Sequence, residues 1–328
     1  ICGYSVVAYI AGQGMAAFRD PFGIKPLSWG QRRDGVVPSY AIASESVSLN
    51  IMNFSDIRDI PPGSAIFFDH NREIHMKRIW DKPHSPCLFE WVYFARPDSI
   101  IDGVNVYRAR VHLGELLAEE IRKAGLPIDI VVPIPDSARD AAIEIARKLN
   151  LKYREALVKN RYIGRTFIMP AVNDRQNMVR FKLNPIAAEF KDRNVLLVDD
   201  SIVRGNTARA IVGLVRDCGA RNVYFASCSP PLRYPCVYGV DMQTRKEFVA
   251  RDRDEEEVAL RIGADRVIYQ TQENLVKAIR MENPNLGRFC AACFDGNYIT
   301  GDVTPEMPQL IEDQRRKASS GQMELNIT

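Results

Sequence analysis

The spacing of apolar residues changes character once along this chain, near residue 85. Before that point alternation dominates. Tyr4–Ala11 and Met15–Arg19 alternate apolar and polar positions on either side of Gly12-Gln13-Gly14, which predicts two strands joined by a tight turn. Ser39–Ala43 and Ala65–Phe68 predict further short strands. After Pro86 the apolar period becomes helical, and the strands become continuous apolar runs. Tyr107–Lys123 predicts a helix stopped by Gly125. IDIVVPIP (Ile128–Pro135) predicts a buried strand. The next helix puts Ala141, Ala142, Ile145, Ala146 and Leu149 on one face, with Asp136 or Ser137 as its N-cap. Asn194–Val198, Asn222–Ala226 and Arg266–Tyr269 predict three more strands. A helix after Thr207 carries Ala208, Ile211, Val212, Val215 and Cys218 on its apolar face and stops at Gly219; another lies around Asn274–Ile279. Strands alternating with helices predict an α/β domain, a parallel sheet with helices on both faces, preceded by an antiparallel domain. The polar tail after Pro305 predicts loose chain.

The stretch VLLVDDSIVRGNT, Val195 to Thr207, carries the most pointed chemistry. Four apolar residues lead into two adjacent carboxylates, then a short turn with one glycine. Ligands of open α/β sheets bind at the carboxyl ends of strands, where Asp199 and Asp200 fall. Ser201–Thr207 then opens a helix, whose free N–H groups and dipole favour a phosphate. Two acids beside an anion cradle make sense if they grip sugar hydroxyls, or a Mg²⁺ that bridges to further phosphate. The pair alone also fits a helix cap, or a Mg²⁺ site of the Walker-B kind, although no G-x-x-x-x-G-K-[ST] loop accompanies it. KNRYIGRTFIMP (Lys159–Pro170) is basic around a glycine and reads either as a mobile lid or as a solvated loop. QNMVRFKLNP (Gln176–Pro185) reads either as a lining of the phosphate entrance or as a solvated face.

Composition narrows the classes. The chain has 328 residues, 46% of them hydrophobic, enough for two domains with cores. A net charge of +3 argues against a general nucleic-acid binder. No apolar run reaches bilayer length and no secretory signal is visible, so a membrane partner is not expected and a cytoplasmic setting is. Seven cysteines form no dense disulfide pattern, which in a reducing compartment points towards metal. Cys290-Ala-Ala-Cys293 by itself fits zinc, redox, iron–sulfur or no function. His70, His75, His84 and His112 show no ligand-like spacing and read as incidental. Cys218 and Cys228 read as core residues.

Longer segments resemble known families. VLLVDDSIVRGNT as a whole resembles the phosphoribosyl pyrophosphate signature of type I phosphoribosyltransferases. KNRYIGRTFIMP, FEWVYFARPDSIIDG (Phe89–Gly103), PIPDSARDAA (Pro133–Ala142) and FRDPFGIKPL (Phe18–Leu27) resemble segments of the glutamine phosphoribosylpyrophosphate amidotransferases. The resemblance implies a type I phosphoribosyltransferase domain over 85–285. Before it, 1–84 would be the last part of an N-terminal-nucleophile glutaminase domain (α+β, antiparallel sheets); after it comes a C-terminal segment, 286–328. The implied activity is displacement of pyrophosphate from phosphoribosyl pyrophosphate by ammonia derived from glutamine. The product is 5-phosphoribosylamine, in the committed step of purine synthesis.

Carried over by motif, Asp199 and Asp200 would hold the ribose hydroxyls and, with Ser137, Mg²⁺. Ser201, Ile202, Val203, Arg204, Gly205, Asn206 and Thr207 would hold the 5-phosphate, and Asp136 would join Ser137 in the pyrophosphate loop. Lys159, Arg161, Tyr162 and Arg165 would form the catalytic closing loop. One branch of the family holds a structural [4Fe–4S] cluster; Cys87 in SPCLFEW, Cys236 in RYPCVYG, and Cys290 and Cys293 in FCAACFDG match its four positions. A Cys₄ zinc site would take the same four thiols. The family also implies purine nucleotide inhibitors and a homo-oligomer, usually a tetramer.

There are departures from the pattern. Phe22 and Lys25 stand where the family usually has Asn and Arg. The glutaminase nucleophile, a free N-terminal Cys, is expected to be missing, because ICGYSVVAYIAG around Cys2 resembles an internal strand. That predicts either a fragment or a shortened gene product. An alternative function is a phosphoribosyl-pyrophosphate-binding regulator without catalysis, but such a regulator has little reason to keep Lys159, Arg161, Tyr162 and Arg165. A nucleobase phosphoribosyltransferase would not account for FRDPFGIKPL or the four cysteines.

Overall fold

Ser5–Ile10 (β1) and Gly14–Arg19 (β2) form the expected hairpin, with Ile10 opposite Gly14. The computed structural model describes residues 3–33, 35, 37–160, 182–239, 248–304 and 307. Ser28–Arg32 (β3), Ser39–Ala43 (β4) and Ser55–Asp59 (β5) make an antiparallel sheet of order β4-β3-β5, with the helix Ser46–Ile51 (α1) between β4 and β5. Ser64–Asp69 (β6) and Ile74–Arg78 (β7) extend the first hairpin into an antiparallel sheet of order β1-β2-β6-β7. Ala17, Leu27, Trp29, Ile60, Ile66 and Phe68 form the core of this body. The sequence pattern did not predict β5 or β7. β5 has a single apolar residue and β7 is exposed at every position, so neither alternates in burial strongly enough to read.

A π-helical turn, Glu90–Phe94, and the two-residue strands Ile100–Ile101 (β8) and Val104–Asn105 (β9) lead into the second body. Its first helix, Val106–Ala124 (α2), is capped by Asn105, whose side chain accepts from the Arg108 N–H at 3.0 Å, and ends at Gly125 with φ +62°. Ile130–Pro133 (β10), Arg139–Leu149 (α3) and Lys152–Tyr153 (β11) follow. Leu157–Lys159 (β12) pairs with Leu183–Pro185 (β13), ahead of the short helix Ala187–Phe190 (α4). Then come Asn194–Asp199 (β14), Asn206–Asp217 (α5), Asn222–Ser227 (β15), Glu255–Ile262 (α6), Arg266–Tyr269 (β16), Gln272–Arg280 (α7) and Ala292–Asp295 (α8).

Strands β11-β10-β14-β15-β16 form one parallel sheet in that order. Period-two burial splits each strand between two cores. Ile130, Val132, Val195, Leu197, Val223 and Phe225 pack on one face with Ile211, Val212 and Val215 of α5 and Val258 and Ile262 of α6. Val131, Leu196, Val198, Tyr224 and Ala226 pack on the other with Leu117 and Ile121 of α2 and Ala142 and Ile145 of α3. The expected α/β sheet, covered on both faces, is therefore present. Chain order reverses between β10 and β14, so a crevice opens beyond their carboxyl ends.

Polar links, the first of them buried, tie the bodies together. Arg19 on β2 donates to both oxygens of Asp102, at 2.7 Å each, and also to the carbonyls of Gly23, Lys25 and Ile60. Burial opposes charge on Asp102, but Arg19 outweighs it and holds that carboxyl well below the usual carboxylate range. Glu45 Oε2 accepts from Arg96 N at 2.8 Å and Ser99 Oγ at 2.7 Å.

Candidate functional site

The carboxylate pair closes β14, at the reversal point of the sheet. Asp199 is half-buried and Asp200 is 7% exposed. The Asp200 N–H donates to Asp199 Oδ1 at 2.9 Å, and Ser201 Oγ donates to Asp200 Oδ1 at 2.7 Å. From the neighbouring strand end, Ser137 Oγ donates to Asp200 Oδ2 in a short hydrogen bond. Burial raises both carboxyls, and the charge of Asp200 raises Asp199 further. On Asp200 the two serine hydroxyls and Arg110 act in the opposite sense. The site therefore holds more negative charge than it neutralises, which is the electrostatic condition for gripping a cation or hydroxyl hydrogens.

Beside the pair, the chain turns through Gly205 (φ +76°) into α5. A Cβ at Gly205 would stand 3.1 Å from Val249 and 3.2 Å from Ile262, so the turn is pressed against the core. The first intrahelical bond runs from Arg209 N to Gly205 O at 2.8 Å. The N–H groups ahead of it have no intrahelical partner. Ile202 is buried, Ser201, Val203 and Arg204 are half-buried, and Asn206 and Thr207 are exposed at the helix start.

Lys159, at the end of β12, reaches across to Asp136, with Nζ 2.6 Å from Oδ2. Arg139 approaches the other Asp136 oxygen at 3.5 Å. These contacts correct one expectation. Neither Asp136 nor Ser137 caps α3; Ala138 holds the N-cap position without a side-chain bond. Ser137 faces Asp200 and Asp136 faces Lys159 instead. Arg161, Tyr162 and Arg165, most of Gln176–Pro185, Cys2 and most of the tail beyond Pro305 lie outside the described residues.

The four expected cysteines also converge. Cys87 and Cys290 lie on adjacent backbone segments, with Leu88 N donating to Cys290 O at 3.1 Å and Cys290 N to Pro86 O at 2.9 Å. Arg233 N donates to Cys293 O at 3.0 Å, which brings in the Cys236 loop. Cys87, Cys290 and Cys293 are buried, Cys236 is half-buried, and all are free thiols. Cys293 lies within electrostatic reach of the other three. Among the described residues no three of these sulfurs fall within 4.8 Å of one another. Cys228 is buried as expected, and Cys218, half-buried at the C-cap of α5, packs against the same core as Ile211, Val212 and Val215.

Known proteins resemble this chain. Residues 105–229 match the phosphoribosyl transferase domain family. An amidophosphoribosyltransferase of Pasteurella multocida is 49% identical over 329 residues, covering 99% of this chain and 65% of its own length. That of Saccharomyces cerevisiae is 44% identical, covering 98% of this chain and 64% of its own. Among solved structures, the B. subtilis glutamine phosphoribosylpyrophosphate amidotransferase complexed with ADP and GMP superposes with a TM-score of 0.81 at 36% identity, over 94% of this chain and 66% of that one. The chain belongs to the amidophosphoribosyltransferase family. It spans slightly less than two thirds of the length of these relatives.

Two charged side chains of this amidophosphoribosyltransferase homologue were missed in the sequence. Arg110 is 4% exposed beneath the carboxylates; it donates to the carbonyls of Trp91 at 3.0 Å and Ala95 at 2.7 Å. Its signal was legible, because it interrupts the apolar stripe Val106, Leu113, Leu117, Ile121 of α2. Glu90 pairs with Lys25 at 2.8 Å across the two bodies, which no local pattern announces.

Proposed function

We propose that this chain carries the phosphoribosyl-transferring machinery of an amidophosphoribosyltransferase. Ammonia, derived from glutamine in the whole protein, displaces pyrophosphate from phosphoribosyl pyrophosphate to give 5-phosphoribosylamine. The observation that carries this reading is the under-neutralised pair Asp199–Asp200 at the sheet's reversal point, set between an open helix N-terminus and Ser137. The first turn of α5, with the Ser201 and Thr207 hydroxyls and the backbone of Ile202, Val203, Arg204, Gly205 and Asn206, holds the 5-phosphate. Asp199 and Asp200 take the ribose hydroxyls. Positive charge develops at the anomeric carbon as the leaving bond stretches, so the task is positioning and charge neutralisation rather than covalent catalysis. Lys159, held beside the Asp136–Ser137 loop, stands on the leaving-group side; Arg161, Tyr162 and Arg165 complete the lid.

Asp199, Asp200 and Ser137 fit Mg²⁺, an oxygen-seeking ion, which would neutralise the pyrophosphate. Cys87, Cys236, Cys290 and Cys293, four free thiols brought into one neighbourhood, fit a structural [4Fe–4S] cluster. We assign 1–84 to the glutaminase part, 85–285 to the transferase and 286–328 to a C-terminal segment. Purine nucleotides are the proposed inhibitors, in keeping with the ADP and GMP of the B. subtilis structure. A cytoplasmic homo-oligomer is the proposed state; no described helix is long and apolar enough to cross a membrane.

The test is pyrophosphate release from phosphoribosyl pyrophosphate and Mg²⁺ under anaerobic conditions, with ammonium chloride as nitrogen donor. Release is expected, with a fall of about 100-fold or more in Lys159→Met at nearly unchanged stability, since an exposed ion pair contributes at most about 1 kcal/mol. Substrate binding without any release would refute the catalytic reading.

A further inference from the structure

Lys25 is one of the two departures in Phe18–Leu27, and its surroundings give it a task. The segment lies directly on the cysteine site: Cys87 N donates to Ile24 O at 3.1 Å, and Ser85 N to Phe22 O at 2.8 Å. The Lys25 side chain, 18% exposed, turns inward to Glu90, 10% exposed. Its Nζ also lies 5.2 Å from the centroid of the Phe94 ring. A Cβ at Gly239 would come within 3.7 Å of Lys25 Cε, so the lysine stem rests on the loop that carries Cys236. Lys25 is thus within Coulombic reach of Cys87, Cys236 and Cys290, and Glu90 acts on Cys87 in the opposite sense.

Four thiolates around an oxidised cubane core leave a net anion, which low-dielectric surroundings disfavour without a counter-charge. We propose that Lys25 is the counter-charge of the cysteine-held cluster, a positioning residue through which the antiparallel body sets how readily the cluster gives up an electron. The inference rests on the iron–sulfur reading above. A buried cation favours the more negative form of the cluster and so opposes its oxidation; the Glu90 carboxylate works against that.

The two charges therefore make opposite predictions. Anaerobically purified protein is exposed to air, and loss of the cluster's visible absorbance is timed, with dioxygen as the electron acceptor. Dioxygen is neutral, so its encounter with the protein is indifferent to the charge change. Lys25→Met should bleach at least about threefold faster than the wild type, Glu90→Gln slower, and Lys25→Arg within about twofold of it. Iron content before exposure should be equal in all four. Faster bleaching in both Lys25→Met and Glu90→Gln would mark a merely structural pair and overturn the inference, as would no change in either. Wild-type protein holding zinc, or no iron, would overturn the cluster reading and this inference with it. Iron present with unshifted rates overturns the inference alone.

Discussion

Alanine at Gly205 and alanine at Gly213, on the same helix, should move stability in opposite directions. Gly205 sits at φ +76°, where an L side chain costs about 1–2 kcal/mol. Its new Cβ would stand 3.1 Å from Val249 Cγ2 and 3.2 Å from Ile262 Cγ2. Both neighbours are buried and β-branched, with stiff χ1 angles, so relief needs a backbone shift and costs about 1 kcal/mol more. A less flexible unfolded chain offsets about 0.4–1 kcal/mol. The net expectation is a loss of about 2 kcal/mol. Gly213 lies mid-helix with nothing within 4 Å of an added Cβ, so alanine there should gain about 0.5–1 kcal/mol from helix propensity. Urea unfolding followed by tryptophan fluorescence, analysed at a common m-value, reads both changes. Calorimetric titration with ribose 5-phosphate should show binding weakened about tenfold or more in Gly205→Ala and unchanged in Gly213→Ala. If Gly205→Ala stays within about 0.5 kcal/mol of the parent and binds normally, the tight left-handed cradle is not what holds the phosphate.

Two further perturbations probe charge. Asp102→Asn leaves the Arg19 guanidinium buried with carbonyl partners but without its hydrogen-bonded counter-charge, and should destabilise by about 3–5 kcal/mol. Because the folded Asp102 carboxyl is depressed, its contribution is complete above the unfolded value near pH 3.9 and lost as pH falls; an acid titration of the variant should show a flatter acid limb. Asp199 has the opposite sign. Its folded carboxyl is raised by burial and by Asp200, so the unliganded protein should gain stability as pH falls from neutral towards the ordinary carboxylate range. Asp199→Asn, which keeps the acceptor for Asp200 N–H, should flatten that slope, raise stability at neutral pH and abolish Mg²⁺-dependent substrate binding; an unchanged slope would refute the repulsion argument.

What was legible in the sequence followed from local period and local chemistry. β10, β14, β15 and β16 read correctly because continuous apolar runs mark strands buried on both faces. Asp199 and Asp200 read correctly because two charges ended such a run. The unread features are those decided by partners distant in sequence. Local pattern made Ser137 a cap for α3, and only the family resemblance set it beside Asp199 and Asp200, because its tie to Asp200 comes from the neighbouring strand end. β7 looked like nothing because its pattern is exposed throughout and its place is fixed by pairing with β6. Lys25 appeared only as a departure from a family pattern, and its partner Glu90 lies across the junction between the bodies.

The helix starts show how the site shaped the fold. Five described helices have eight residues or more: α2, α3, α5, α6 and α7. Three begin with a side-chain cap, from Asn105, Asp254 and Thr271. The two that lack one, α3 and α5, are those whose first turns flank the Asp199–Asp200 crevice. A side-chain cap stabilises a helix by about 1 kcal/mol because it satisfies free N–H donors. At α5 those same donors must stay open if a phosphate is to occupy them, and a capping oxygen would compete for the position. At α3 two good capping residues are present in sequence, but Ser137 is bonded to Asp200 and Asp136 to Lys159. The uncapped helices, the left-handed glycine and the mutually repelling acids are all locally unfavourable, and all border the same crevice. On the proposed reading each becomes favourable once a phosphate, a sugar and a cation lie there, and local stability rules would then fail at this end of the sheet because the ligand completes it.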